Sequence, residues 1–374
     1  MSVAAKALVV ALALLVLLGL LALVAALVLP WGAALALAGA LLAGALLFAA
    51  LKPVSTGDLV SRPAPADGPA EARRRFAALA ACDGPEVIDI CRSRLLAGEG
   101  RARRAVVIFH GLSSCPHAQV ELIPRLHEEG CAVLVARMPH HGIVDNKSDS
   151  LRHYLGPMIV GHVDEVVDIA AGLGEELVVA GISGGAVLAG WAAQTRAEVT
   201  EAVLIAPFYG MATFGDTLNG LIMRILLLLP NFSIWRNPLK GSRSEAPPHN
   251  MARQSSRGVA EMMRVGLATR RLALRGRAKA ARVCIILNDA DIAISNAVAE
   301  SMGRAFAAGG TAVERVRIPR EYQLPHELID PAQTGEKAAI VTPALTALLA
   351  WSRLPPAARP EGAPAAAAGP ARAR

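Results

Sequence analysis

Aromatic residues make up only 4% of this 374-residue chain, and no basic run is interleaved with them. The stacking surface that holds single-stranded nucleic acid is therefore missing, although a net charge of +7 would suit such a partner. The excess of Lys and Arg reads as a solvated basic surface, part of it flanking an apolar segment, and no nucleic-acid partner is expected. Cysteine is scarce as well. Cys82, Cys91, Cys115, Cys131 and Cys284 are scattered, with no C-x-x-C and no metal-ligand spacing, so no metal is expected. A Cys82–Cys91 disulfide suits an oxidising compartment; five sparse cysteines suit reduced thiols equally. Charge is absent altogether from residues 7–51.

That uncharged stretch carries much of the apolar excess behind a hydrophobic content of 53% and a mean hydropathy of +0.42. Leu8 to Leu29 is long enough to span a bilayer as a helix, Pro30-Trp31-Gly32 interrupts it, and Ala33 to Leu51 is a second, shorter run. The pattern predicts a transmembrane helical hairpin over residues 1–52, with helices at about 7–29 and 33–51. A signal peptide or single signal anchor is the alternative, but the apolar run exceeds the usual signal core. Lys6 precedes the hairpin, Lys52, Arg62, Arg73, Arg74 and Arg75 follow it, and its turn has no Lys or Arg. The positive-inside rule then predicts a membrane location with the domain that follows in the cytoplasm; if only one helix spans, that domain changes sides.

Residues 53–80, with Pro53, Pro63, Pro65 and Pro69, read as a linker with a short helix over Glu71–Ala81. A folded domain is expected over 81–354. Its short apolar runs, Ala105–Phe109, Ala132–Ala136, Leu177–Ala180, Ala202–Ala206, Val283–Leu287 and Val313–Ile318, read as strands, with Val87–Ile90 less clear. Helical stretches at Val120–Glu129, Val163–Gly172, Ala186–Thr195 and Ile294–Ala308 lie between them. Strands alternating with helices predict an α/β fold: a mostly parallel sheet with helices on both faces. The interval 209–280 breaks this rhythm and reads as a helical cap insertion. Its Leu221–Leu229 run suits ordinary core or an apolar cover for an acyl substrate equally. Residues 355–374, mostly Pro, Ala and Arg, read as a disordered tail.

Chemistry concentrates at Gly181-Ile182-Ser183-Gly184-Gly185, between the strand Leu177–Ala180 and a helix of small residues. In that setting G-x-S-x-G describes a nucleophile elbow. Side chains at Gly181 or Gly185 would collide with the flanking strand and helix, and Ser183 would face free N–H groups at a helix N-terminus. A solvated serine in a Gly-rich turn and a dinucleotide-binding turn are the alternatives; the spacing does not give G-x-G-x-x-G.

Four further places bear on the serine. Val106 to Leu112 is a strand ending in His-Gly, and the N–H groups of Leu112 and Gly184 are candidates for an oxyanion hole. His110 reads as a loop residue. Ala136-Arg137-Met138-Pro139-His140-His141-Gly142 closes the next strand, and its histidines read as shaping the pocket. After Ile285-Ile286-Leu287-Asn288 come Asp289 and Asp291, competing to orient an imidazole, or capping the helix near Ser295. Last, His326 follows the final strand in Leu324-Pro325-His326-Glu327-Leu328-Ile329-Asp330. The chain order Ser…Asp…His is the one found with a nucleophile elbow.

From about Arg92 to Ser352 the chain resembles the α/β-hydrolase superfamily, in its serine aminopeptidase and monoacylglycerol-lipase-like branch. The resemblance rests on Phe109-His110-Gly111-Leu112, Arg137 to Gly142, Gly181 to Gly185 and Leu324 to Pro331. Relatives of this kind carry an Asn-x-x-Asp-x-x-Val-type acid loop; Asn288 to Ile294 fits it with Asp291 as the acid, which implies Asp291 over Asp289. In one departure, the usual Pro-Gly-His-Gly is Pro-His-His-Gly here.

The expectation is a membrane-anchored serine hydrolase for a small ester or amide, lipid-like esters included. Its catalytic residues would be Ser183, Asp291 and His326, with Leu112 and Gly184 as oxyanion hole and no cofactor. Cys115 reads as loop packing, since Ser183 already fills the elbow. The alternatives are an acyltransferase using the same residues and a non-catalytic membrane-anchored binding protein.

Overall fold

The computed structural model describes residues 30–236 and 246–352, together with residues 19, 20, 23 and 24. In chain order the elements are α1 (Trp31–Leu51), α2 (Pro69–Ala81), β1 (Arg94–Leu96), β2 (Ala102–Phe109), α3 (Leu122–Glu128) and β3 (Ala132–Val135). Then come α4 (Gly156–Ala171), β4 (Gly174–Ile182), α5 (Gly184–Thr195), β5 (Val199–Ile205), α6 (Asp216–Leu228), β6 (Ser233–Trp235) and β7 (Arg253–Ser255). The chain continues through α7 (Ser256–Arg275), β8 (Arg282–Asn288), α8 (Asn296–Ala308), β9 (Ala312–Ile318) and α9 (Ala338–Trp351).

Seven strands form one sheet in the order β1-β3-β2-β4-β5-β8-β9. All neighbours pair in parallel except β1, which runs antiparallel to β3 at the edge. The period of two along each strand divides the core. Ala105, Val107 and Phe109 of β2 and Leu177 and Val179 of β4 face one cluster, with α4, α5 and α8. Val106, Ile108, Val178 and Ala180 face the other, with α3 and α9. Burial on both faces is why these strands read as unbroken apolar runs. The six clear strand runs each fall within or largely within an observed strand. Val87–Ile90 supplies only one bridge, Val87 to Ile143, and the edge strand is instead β1, whose three half-buried residues leave little apolar signal.

The parallel strands all point their carboxyl ends to one edge, so the loops after β2, β4, β8 and β9 gather there. The interval between β5 and β8 covers that edge. It holds α6, the antiparallel pair β6–β7 and α7, which begins at Ser256 because Ser255 caps it, its hydroxyl accepting from Gly258 N–H. The polar stretch between β6 and β7 falls partly on residues 237–245, outside the described residues.

Two expectations about the N-terminal quarter need correction. Among the described residues no helix is long and apolar enough to cross a membrane. The first expected span, 7–29, lies mostly outside the described residues. The second falls on α1, which packs against the cap helix α6. That contact covers only part of the helix, and Trp31, Leu35, Leu42, Leu47, Phe48 and Leu51 stay exposed. Since no described helix has the length and apolarity of a span, the transmembrane hairpin, and the membrane location with a cytoplasmic catalytic domain, are not retained.

The second correction concerns the segment read as a linker, which is fastened along its length. Leu59 and Ala66 are buried. Asp58 pairs with Arg264 of α7. Ser61 Oγ and Arg62 N donate to Asp164 at 2.5 and 2.6 Å, and Ala64 N donates to Asp168 at 3.0 Å. The expected tail at 355–374 lies outside the described residues.

Candidate active site

Ser183 stands between the last residue of β4 and the first of α5 with φ 56° and ψ −118°. Non-glycine residues rarely adopt positive φ, and such strain persists only where the surroundings hold it. They do so here. Ser183 N–H donates to Ile205 O at 2.9 Å, and its carbonyl accepts from Phe208 N–H at 3.0 Å. A Cβ on Gly181 would sit 2.1 Å from Gly185 O, and one on Gly185 would sit 2.1 Å from Phe109 O. The glycines flanking the serine are thus required by close backbone approach.

His326 lies in the loop after β9. Its Nδ1 is 2.6 Å from Asp291 Oδ2, in the turn after β8. The Asp291 side chain is fully buried, and its Oδ1 accepts from the N–H groups of Ala293 and Ile294 at 2.8 and 3.2 Å. One carboxylate therefore both orients the imidazole and caps the turn. Burial alone would raise the Asp291 pKa, but the bond to His326 and the backbone donors bring it below the usual carboxylate range. For His326 burial favours the neutral ring, while the Asp291 bond and the nearby charge of Glu327 outweigh it and raise its pKa. Asp289 points elsewhere, to Arg317.

Asn288, at the end of β8, has no role that the sequence pattern alone assigns. It is fully buried, and its Nδ2 donates to the carbonyls of Leu324 and Pro325 at 3.0 and 3.2 Å. Its Oδ1 accepts from Ala290 N–H at 3.1 Å. One amide thus joins the aspartate turn to the histidine loop. Asp330 was likewise not assigned. It is buried, held below the usual range despite burial by the donors of His249 Nε2 (2.9 Å) and Gln333 Nε2 (2.6 Å), and ties the histidine loop to the segment before β7.

The loop after β2 closes over the serine. A Cβ on Gly184 would lie 3.1 Å from Leu112 N, so the two expected oxyanion donors are neighbours. The histidines nearby are structural. His110 Nδ1 is 2.9 Å from Gly111 O, and its Nε2 accepts from Met138 N–H at 3.0 Å, a pairing that fixes a neutral tautomer. Burial holds His110 well below its usual pKa. His141 Nε2 is 2.8 Å from Leu112 O, and burial lowers its pKa to about 4. It thereby positions the Leu112 peptide. His140, where the resemblance leads one to expect glycine, has φ 67°.

The cysteine expectation is corrected. Cys91 is bonded to Cys115, and Cys82 is free and exposed at the end of α2. The Val87–Ile143 bridge carries Cys91 away from Cys82 and under the loop after β2. Cys115, three residues beyond Leu112, is there to meet it.

Ser183, His326 and Leu112 open onto one cavity of about 470 Å³, walled on the cap side by Leu226, Phe232, Trp235 and Val259. No hydrogen bond joins Ser183 Oγ to His326 among the described residues. A second cavity of about 520 Å³, between residues 58–62 and α4, has no serine, cysteine or histidine in its lining. Among the described residues no cluster of His, Cys, Asp or Glu is arranged to hold a metal.

No family model matches the sequence, and no curated protein matches it at a significant level. Solved structures do match it in fold. A monoacylglycerol lipase from Paleococcus ferrophilus superposes with a TM-score of 0.51 at 18% identity, covering 69% of this chain and 97% of that one. A soluble variant of monoglyceride lipase from Saccharomyces cerevisiae, in complex with a substrate analogue, gives 0.51 at 14% identity, covering 69% and 91%. The chain has the α/β-hydrolase fold.

Proposed function

We propose that this chain is a serine hydrolase that cleaves a carboxylic ester with an apolar acyl part. The reading is carried by one observation: a strained, backbone-pinned Ser183 opens onto the same apolar cavity as a His326 held by a buried Asp291. Ser183 Oγ attacks the ester carbonyl while His326 Nε2 takes its proton. Asp291 keeps the Nδ1–H tautomer and stabilises the imidazolium. The N–H groups of Leu112 and Gly184 receive the oxyanion. As the tetrahedral intermediate collapses, the C–O bond to the alcohol breaks and His326 returns the proton to it. Water then attacks the acyl-enzyme as His326 accepts its proton; the bond from the acyl carbon to Ser183 Oγ breaks, His326 returns the proton to Oγ, and the acid leaves. The monoacylglycerol and monoglyceride lipases that share the fold support ester over amide as substrate.

The test is labelling of the full chain with a fluorophosphonate, with turnover measured on p-nitrophenyl esters of increasing chain length. Ser183→Ala should lose the label and roughly 10⁶-fold in kcat. A folded wild type that takes no label would sink the proposal.

A further inference from the structure

The cap side of the cavity is mostly apolar, yet three polar atoms on its wall, on Arg236, Gln254 and Glu327, have no partner among the described residues. Arg236 follows β6; its Nη2 donates to Gln333 Oε1 at 2.6 Å, and its Nη1 is buried without a partner. Glu327, next to His326, is 3% exposed, and its Oε2 is buried without a partner. Both residues line the cavity with Ser183 and His326. Three other largely buried arginines face carboxylates. Arg137 faces Asp83, Arg196 faces three carboxylates, and Arg264 faces Asp58 and Glu261. Arg236 forms no ion pair among the described residues. Glu327 makes no ion pair with it among the described residues: its Oε2 has no partner, and burial pushes its carboxyl up against the opposing pull of His326 and Arg236.

We propose that Arg236 is a specificity-determining residue that receives an oxyanion, carboxylate or phosphate, carried by the substrate. The pocket would then take an apolar ester bearing one anionic group. The assignment deepens the hydrolase reading and rests on it for the site. An oxyanion at this point accepts the free N–H of Arg236, and accepts a second bond from Glu327 when that carboxyl is protonated. Hydrogen bonds between charged groups are about twice as strong as neutral ones, and a guanidinium is shaped for such groups. The remaining wall, with Leu226, Phe232 and Val259, selects the apolar part.

The experiment is calorimetric titration of the full-length Ser183→Ala chain, which leaves esters intact. Four probes of similar length distinguish the sources: ethyl hexanoate, ethyl hydrogen adipate, hexanoyloxyacetate and 2-(hexanoyloxy)ethyl phosphate. At least one anionic ester should bind about tenfold tighter than ethyl hexanoate. Adding Arg236→Gln should bring that ratio towards one, and Arg236→Lys should keep part of it. The tighter anion identifies carboxylate or phosphate, and acyl or alcohol end. A ratio near one in the parent, or a ratio unmoved by Arg236→Gln, overturns the subsite. Fluorophosphonate labelling of the wild type separately decides the hydrolase reading; Arg236-dependent anion binding without labelling would sink that reading and leave the subsite standing.

Discussion

At Ser183 and His140 a β-carbon occupies backbone territory that ordinarily belongs to glycine. Each such residue costs about 1–3 kcal/mol, and the two differ in what they gain. Ser183 is held by hydrogen bonds from β5 and its following loop, and its hydroxyl is left at the cavity. His140 only carries the turn that delivers His141 to Leu112 O. The other decisive residue is His326, whose pKa lies above the usual 6.5. Only the neutral ring can take the serine proton, so kcat/KM should fall as pH drops through a value above 6.5. Asp291→Asn removes the bond and charge that raise this pKa. The acid limb should move to lower pH, while kcat falls by roughly 10⁴-fold. A pH–rate profile of both proteins checks this; an unmoved limb would show that Asp291 does not set the ring. Ser183 and His326 were legible from local sequence because turn chemistry and strand ends are local. The choice between Asp289 and Asp291 was made by resemblance alone; in the structure Asp291 meets His326, while Asp289 points to Arg317 on the surface.

Each strand of the parallel sheet contributes one part at its carboxyl end, and the cross-links between those ends are what position the parts. Asn288 joins the loops after β8 and β9, His141 joins the loops after β2 and β3, and the Cys91–Cys115 bond fastens the loop after β2 to the turn before β1. The strands themselves were readable from apolar runs. The cross-links were not, since nothing in the spacing of Cys82, Cys91 and Cys115 says which loops meet. The bond closes a loop of 24 residues, so its reduction should cost about 3 kcal/mol. Denaturant unfolding with and without reductant measures that loss. Thiol titration of the unreduced, unfolded chain should find three free cysteines, Cys82, Cys131 and Cys284; five would refute the pairing.

Over the whole molecule, the segment before the sheet is part of the fold. Arg196, fully buried at the end of α5, faces Asp164, Asp168 and Glu198, and the same two aspartates accept from residues 61–64. One buried cation thus links α4, α5 and the segment that runs to α2. Replacing Arg196 with Met would leave those carboxylates buried without their counter-charge. The expected loss is about 3–5 kcal/mol, the cost of breaking such a pair, read as a lowered denaturation midpoint. A loss below about 1 kcal/mol, the range of an exposed pair, would mean that the network is not load-sharing. The sequence could not reveal this, because prolines and small residues at 53–70 describe a linker and a docked strap equally well.

By itself the sequence determined the α/β layering and the elbow, because period-two burial and close backbone approach at Gly181 and Gly185 are written in neighbouring residues. It placed the serine, aspartate and histidine after strands, in the order Ser…Asp…His. Only the tertiary structure decided what those ends touch. It showed that the apolar helix α1 packs on the cap, that Cys91 pairs with Cys115, that Asn288 and His141 brace the site, and that Arg236 and Glu327 reach the cavity with atoms unpartnered among the described residues. Each is a contact between segments far apart in the chain, and no local pattern records such contacts.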